Sequence, residues 1–441
     1  ARINSLKETV QQRLLDRGID VNLSEVEPSE VEDMVTSIFF SRLPNETAHR
    51  VERLRHIAEL GRDIVGTVST WQRSYETFLA GTRQVVSGTC VGLGRSSLGL
   101  TKTAFDLVIV DEAARCTPSE LAVPIQAGKW VVLVGDHAQL EPQHSPDVVD
   151  ALTRELKIAA AEVVKSDFER AFESAYGIRA GHTLKKQYRM LPPIGRLVSN
   201  SFYTRALQHE RTTPEIPLEA LPPELAVPLV WVSTDTMGAS AYQRSGGTRR
   251  GSLQNAAEAD VIVWLLKRWS EHELFLNWIK TLPDGKQAIG VICAYAAQLE
   301  LVRGKLQSES LPEVFRRTIK VDTIDSYQGK ENLIVILSLV RNNADGIKDR
   351  GAPTIQPGFM AKKNRINVAL SRAMDRLVIV GAKAAWREGS PLGAVSAGFD
   401  EEAKGNDAML LNASELLVSP KSAKKGKAKA ASHTKQKVGD A

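Results

Sequence analysis

"FDLVIVDEAARCTPSE", residues 105–120, begins as a nearly unbroken apolar run and ends by setting two carboxylates, Asp111 and Glu112, where that run stops. A strand with one wet face alternates apolar and polar residues, whereas a continuous run predicts a strand covered on both sides, as in parallel sheets flanked by helices. Ligands of such sheets bind beyond the carboxyl ends of the strands. The acid pair therefore stands where chemistry is expected. One carboxylate of such a pair can hold magnesium while the other orients or deprotonates a water. Two acids at a strand-to-helix turn can also do no more than cap the helix, and for this stretch alone that simpler account is preferred.

The same pattern recurs outward. "QVVSGT" (84–89) and "WVVLVG" (130–135) read as further buried strands, followed by a long helix over 151–177. Next come "LVWVS" (229–233), a helix near 253–280, "AIGVIC" (288–293), a helix near 296–309, "LIVILSLV" (333–340), a helix near 361–373 and "RLVIVG" (376–381). Strands alternating with helices predict α/β architecture in two successive parallel-sheet units. Residues 1 to about 80 read as helical: Ile3, Leu6, Val10 and Leu14 recur at helical spacing before Gly18, a stop signal. Ser29 and Glu32 make a capping-box pattern ahead of Val31, Met34, Val35 and Ile38. The Pro-rich stretch 212–228 reads as an extended connection, and "SAYQRSGGTRRGS" (240–252) as a flexible loop.

Composition narrows the classes. Of 441 residues, 43% are hydrophobic and 25% charged, ordinary for a soluble globular chain. Cys90, Cys116 and Cys293 are too few and scattered for a disulfide framework or zinc cluster, and read as reduced thiols in a cytosolic protein. The eight histidines lack H-E-x-x-H or C-x-x-C company, so no protein-held transition metal is expected. The apolar runs are far shorter than a membrane span, and no signal peptide is visible. The first residue is Ala1, from which an upstream part is expected to be missing. Residues 421–441 carry seven lysines against one aspartate. The overall charge of +5 thus leaves the preceding 420 residues near −1. That tail is expected to be disordered, serving either as a salt-sensitive attraction to nucleic acid or as a solubilising terminus.

Further chemistry-bearing residues follow in order. "LVGDHAQLEP" sets Gly135, Asp136 and Gln139 beyond the next strand, and a glutamine there can sense a terminal phosphate and its attacking water. "LKKQYRM" carries Arg189, "VDTIDSYQGKE" carries Gln328, Gly329 and Glu331, and "NRINVALSRA" carries Arg372 on a predicted helix. Arginine suits phosphate because its planar guanidinium stays charged and donates in pairs.

Together with "VVSGTCVGLG", "VIVDEAA" and "IGVICAYAAQ", this series resembles motifs Ib to VI of superfamily 1 helicases, specifically the up-frameshift-like branch, over residues 84 to about 385. The resemblance implies two RecA-like domains with ATP and magnesium bound between them, and 5′ to 3′ movement along single-stranded DNA or RNA. By motif, it implies magnesium at Asp111, the catalytic base at Glu112, and coupling of the γ-phosphate to the strand surface through Gln139. It makes Arg189 and Arg372 arginine fingers, sets Glu331 near the ribose, and adds Asp136, Gln328 and Gly329 to the nucleotide site. It further implies strand contacts at Thr89, Ala294, Tyr295, Gln298 and Thr323, although helix-start capping accounts for Thr89 and Gln298 equally well from the residues alone.

The expected layout is a helical segment over 1–83, a partial RecA-like domain over 84–180, a second over 181–390 and a Lys-rich tail over 391–441. The phosphate-cradling G-x-x-x-x-G-K-[ST] is not found. The lysines after Gly128, Gly285, Gly304, Gly329 and Gly426 are followed by Trp130, Gln287, Leu306, Glu331 and Ala428. Three explanations stand: a fragment of a longer helicase, a split enzyme whose P-loop lies on a partner chain, or a former ATPase that only binds nucleic acid or scaffolds. The expected compartment is the cytoplasm, or wherever DNA lies if DNA is the track.

Overall fold

The computed structural model describes residues 2–16, 18–24, 26, 30, 34, 37–38, 50, 53, 55–62, 82–95, 98, 100, 105–246, 251–342, 347–349, 352–355, 357–384 and 386–418. The chain divides into two units, one of residues 1–108 with 122–131, the other of 109–121 with 132–441. Asp111, Glu112 and the 136–139 loop therefore belong to the same unit as the second group of strands, rather than to a body ending at residue 180.

In the first unit the helix Arg2–Leu15 stops as expected. Gly18 takes φ +71°, open to a residue without Cβ, and Ile19 N donates to Leu14 O at 2.9 Å. The Ser29 to Glu32 capping pattern lies outside the described residues. The strand expected over 84–89 does not form. Gln84 is a bend, residues 85–89 belong to no strand, and Thr89 instead starts the short helix Cys90–Leu93.

Strands β1 (Phe105–Val110) and β2 (Gly128–Leu133) make a two-stranded sheet. They run in one direction: Phe105 N donates to Ala127 O at one end, and Val134 N to Val110 O at the other, both at 2.8 Å. The expectation that both are buried on two faces is corrected. Leu107 is 51% exposed and Trp130 73%, because among the described residues only these two strands make the sheet.

The second unit is built on a six-stranded sheet. Its strands are β3 (Leu229–Ser233), β4 (Ile289–Cys293), β5 (Ile319–Thr323), β6 (Asn332–Ser338), β7 (Ala373–Gly381) and β8 (Ala408–Asn412), in the order β8-β3-β7-β6-β4-β5 and all parallel. Here the apolar runs do what they predict. Trp231, Val335, Leu337, Leu377 and Ile379 feed one core with the helices Pro192–Phe202, Lys363–Leu370 and Pro391–Lys404. The intervening Val230, Val291, Ile336 and Val378 feed a second core, with Ala256–Ser270 and Ala296–Ser308 on the opposite face. Alternate Cβ atoms leave a strand on opposite sides, so a sheet covered twice needs apolar residues at every position. The edge strand β5 is blunted against further pairing: Arg303 Nη2 donates to Val321 O at 2.6 Å, and Asp322 Oδ1 accepts from Thr323 N at 3.0 Å.

Several boundaries differ from the sequence reading. The helix expected over 151–177 is four pieces, Pro146–Leu156, Ala160–Val164, Asp167–Glu173 and Gly177–Ala180. Lys157 turns left-handed at φ +53°, and Ser166 starts a new helix by accepting from Glu169 N. The 253–280 helix is likewise two, Ala256–Ser270 and Glu273–Lys280, the second started by His272 Nδ1, which accepts from Phe275 N at 3.3 Å. Residues 391–418 are not tail, since they supply a core helix and the edge strand β8; residues 419–441 lie outside the description. The Pro-rich connection is pinned from inside, where buried Asp375 pairs with Arg211 and accepts from Glu215 N at 2.7 Å and Ile216 N at 2.8 Å.

Candidate active site

β1 ends at Val110, and the chain turns at once. Glu112 is left-handed at φ 54°, ψ 32°, and opens the 3-10 turn Ala113–Arg115. Asp111 Oδ1 accepts from Glu112 N at 2.9 Å, so one carboxylate oxygen fixes the turn while its side chain stays exposed. Ala113 N donates to Val134 O at 2.8 Å, setting the acid turn beside the loop that follows β2.

That loop is held by its own aspartate. Asp136 Oδ1 accepts from Ala138 N at 2.9 Å, and its Oδ2 accepts from Gln139 Nε2 at 2.8 Å and from the Tyr203 hydroxyl at 2.5 Å. Asp136 is thus a structural anchor whose oxygens are already engaged. Burial, reinforced by the Asp136 charge, holds the Tyr203 phenol well above its ordinary range. From the helix Lys363–Leu370, Asn364 Nδ2 donates to Gln139 O at 2.6 Å, and Asn367 Nδ2 to Ala138 O at 2.8 Å. These two asparagines and Tyr203 are site residues that motif reading missed. The i, i+3 spacing of Asn364 and Asn367, which puts both amides on one helical face, was the available signal.

With its amide nitrogen on Asp136, Gln139 turns its oxygen to the arginine: Arg372 Nη2 donates to Gln139 Oε1 at 2.8 Å. Arg372 does not lie on the predicted helix but in the turn after it, between Ser371 and β7. It is 2% exposed, and its Nε donates to Val368 O at 3.2 Å and its Nη1 to Lys330 O at 3.3 Å. Burial, and next the charge of Arg189, push it down to about 10, with Glu112, Tyr203 and Glu331 acting the other way. It remains a cation at neutral pH.

Arg189 follows a two-residue strand, Lys186–Gln187. Gln187 Oε1 accepts from the backbone N of Arg189 at 3.1 Å and of Met190 at 2.8 Å, which fixes the arginine's loop. Arg189 Nε donates to Glu331 Oε2 at 2.6 Å, both side chains partly exposed. Gln328 Nε2 donates to Glu112 Oε2 at 2.9 Å, while Gln328 Oε1 is buried without a partner. Gly329, at φ +73°, makes the turn between them. Within one unit, then, Glu112, Gln139, Arg189, Gln328, Glu331 and Arg372 form one linked cluster, with Asp111 adjoining Glu112.

The predicted strand contacts divide. Tyr295 and Thr323 are partly exposed at the carboxyl ends of β4 and β5, and Ala294 beside them is 4% exposed. In the first unit Thr89 is a helix cap, its Oγ1 accepting from Gly92 N at 3.1 Å. Gln298 is corrected: it is fully buried, its Oε1 accepts from Asn255 N at 2.8 Å, and its Nε2 donates to Asn255 O and Ser338 Oγ at 3.1 Å. Its side chain has no group left for a strand.

The residues present fit a magnesium nucleotide on the acid and guanidinium side. Among the described residues no three His, Cys, Asp or Glu side chains gather into a metal cage. Asp111 offers a carboxylate, as suits magnesium that takes its other ligands from phosphate and water. The orphaned Gln328 Oε1 is an acceptor awaiting a donor.

Two AAA domain families match the chain, one over residues 163–384 and the other over 22–144. ATP-dependent helicase NAM7 of Saccharomyces cerevisiae is 30% identical over 387 residues, 84% of this chain and 35% of the yeast protein. The regulator of nonsense transcripts 1 homolog of Neurospora crassa is 32% identical over 305 residues, 67% of this chain and 24% of that protein. DNA-binding protein SMUBP-2 of Rattus norvegicus is 29% identical over 289 residues, 64% of this chain and 25% of the rat protein. The chain spans about a third of the yeast relative's length and about a quarter of the other two.

Proposed function

Because the chain belongs to the up-frameshift-like branch of the superfamily 1 helicases, we propose that it is motor machinery of an ATP-dependent enzyme that moves 5′ to 3′ along single-stranded DNA or RNA. The observation that carries this is the contact of Arg372 Nη2 with Gln139 Oε1 at 2.8 Å. It ties the loop after β2, which Ala113 N holds beside the acid turn, to the turn that presents the arginine, as phosphate sensing requires.

The roles divide by chemistry. Phosphoryl transfer needs positioning and charge neutralisation more than covalent help. Asp111 would hold magnesium, which would supply charge neutralisation at the phosphates. Glu112 orients a water and takes its proton, Gln328 aims the Glu112 carboxylate, and Arg189 and Arg372 neutralise charge on the phosphates. Glu331 engages Arg189 and stands ready for a ribose hydroxyl. Tyr295, Thr323 and the backbone at Ala294 grip the strand without reading bases, and the Thr89 turn supplies a contact of its own on the first unit. A phosphate-cradling loop from a further segment or a partner chain would complete the site. The cytoplasm is the proposed workplace for RNA.

The test is strand-stimulated ATP hydrolysis by the full-length protein. Glu112→Gln and Arg372→Ala should each lower kcat by about 10³-fold or more while leaving the far-UV circular dichroism spectrum unchanged. Turnover equal to wild type would refute the roles, and no hydrolysis by the wild type would favour a nucleic-acid-binding scaffold instead.

A further inference from the structure

Beyond the catalytic cluster, one side chain stands in a conformation its type avoids. Val340, just past β6, has φ +67°, a region costly for a β-branched residue. Arg341 N donates to Leu339 O at 2.7 Å across it, closing the rare γ-turn of positive φ. A fully buried polar network enforces this turn. Val340 N donates to Glu258 Oε2 at 2.8 Å, and Asn255 Nδ2 donates to Val340 O at 3.1 Å. Ser338 Oγ donates to the same Glu258 oxygen at 2.7 Å, and Gln298 braces Asn255. So much buried polarity around one turn calls for something the turn must place.

What it places is Arg341. The guanidinium lies 5.7 Å from the Tyr295 ring centroid, and Nε donates to the Tyr295 hydroxyl at 2.8 Å. Among the described residues no carboxylate pairs with it. Gly358 makes room, since a Cβ there would fall on the guanidinium. Tyr295 lies 5.6 Å from Phe359, ring to ring, and Arg365 sits over the other aromatic, 3.6 Å from the Phe359 centroid. Arg365 has a distant partner in Asp325 at 3.6 Å. Arg341, Tyr295, Phe359 and Arg365 thus form one cation and ring column. Its members are partly exposed and come from four chain segments near the carboxyl ends of β4 and β6.

We propose that this column is a stacking platform for the bases of a single strand, with Arg341 adding a phosphate contact. The proposal rests on the helicase reading and specifies how that surface holds its track. Rings and guanidinium planes accept the π-face of any base, so such a platform binds without sequence preference. Gln298 serves it at one remove, as a positioning residue for Val340 and Arg341.

The experiment compares, on the full-length protein without nucleotide, the affinity for a fluorescent oligothymidylate and for the same strand carrying consecutive abasic sites. Phosphate gripping alone treats them alike. The wild type should bind the abasic strand about tenfold more weakly. Phe359→Leu should erase most of that preference, and Arg341→Met should weaken both strands, with melting temperatures checked for each. Equal binding of the two strands by the wild type, or an undiminished preference in Phe359→Leu, overturns the platform and leaves the helicase reading standing. Failure of the wild type to bind either strand would sink both.

Discussion

Trp231 and Trp130 lie in strands of similar composition and meet opposite fates. Trp231, in β3, is fully buried, donates from Nε1 to Gly381 O at 3.1 Å, and meets Phe399 edge to face at 5.6 Å. Trp130, in β2, is 73% exposed. An apolar run states what a strand requires, not whether the chain provides it. In the six-stranded sheet, helices arrive on both faces and the apolar positions of β3, β4, β6 and β7 are buried almost throughout. In the β1 and β2 sheet, Leu107, Ile109, Val132 and Val134 stay exposed beside a turn that nonetheless holds its acids in order.

The strongest way to break this contrast is Trp231→Ala. Emptying a fully enclosed indole site should cost about 3–5 kcal/mol, read as a lower midpoint of urea unfolding. A loss below about 1 kcal/mol, the size of an ordinary surface or minor core change, would mean that the sheet is not packed on both sides as described.

The sequence was most readable where local pattern and tertiary burial agree. β3, β4, β6 and β7 were legible because their central stretches, 229–232, 289–293, 333–337 and 377–380, are unbroken apolar runs, and the place of the acids at 111 and 112 because the run before them stops there. Less legible were features that depend on a partner distant in the chain. Gln298 looks like a polar residue at a helix start, and only packing shows its amide facing Asn255 and Ser338. Arg372 sits one turn past its helix because Asn332 N binds the Arg372 carbonyl at 3.1 Å, drawing the chain into β7. β8 was hidden by the lysines that follow it, although Leu392, Val395 and Phe399 already carried the period of a core helix. The break at 166 had its own signal, a serine with Glu169 three residues on, the capping-box spacing.

A second test sharpens the buried side of the contrast through pH. Burial pushes Glu258 from its ordinary 4.5 to about 8, against hydrogen bonds from Ser338 and Val340 that favour its charge. The folded state therefore holds a proton that the unfolded chain gives up. The resulting stability is fully present below pH 4.5 and is lost as pH rises through about 8. The urea midpoint of the wild type should fall across that window, and Glu258→Gln should flatten the fall. Parallel profiles for the two proteins would show that Glu258 does not bind its proton more tightly in the fold.

The smallest effect is the most informative about the bare sheet. In residues 1–441, Trp130→Ala removes a side chain with little to lose, so its unfolding midpoint should shift by no more than corresponds to about 0.5 kcal/mol. The same substitution in a protein that includes a phosphate-loop segment should cost more if that segment lays a strand or helix over β2, because an indole taken out of water carries one of the largest burial terms of any side chain. Equal, small shifts in both contexts would mean that the exposed face of β2 stays exposed. A large shift in residues 1–441 alone would mean that the face is already covered in solution, and the contrast with Trp231 would disappear.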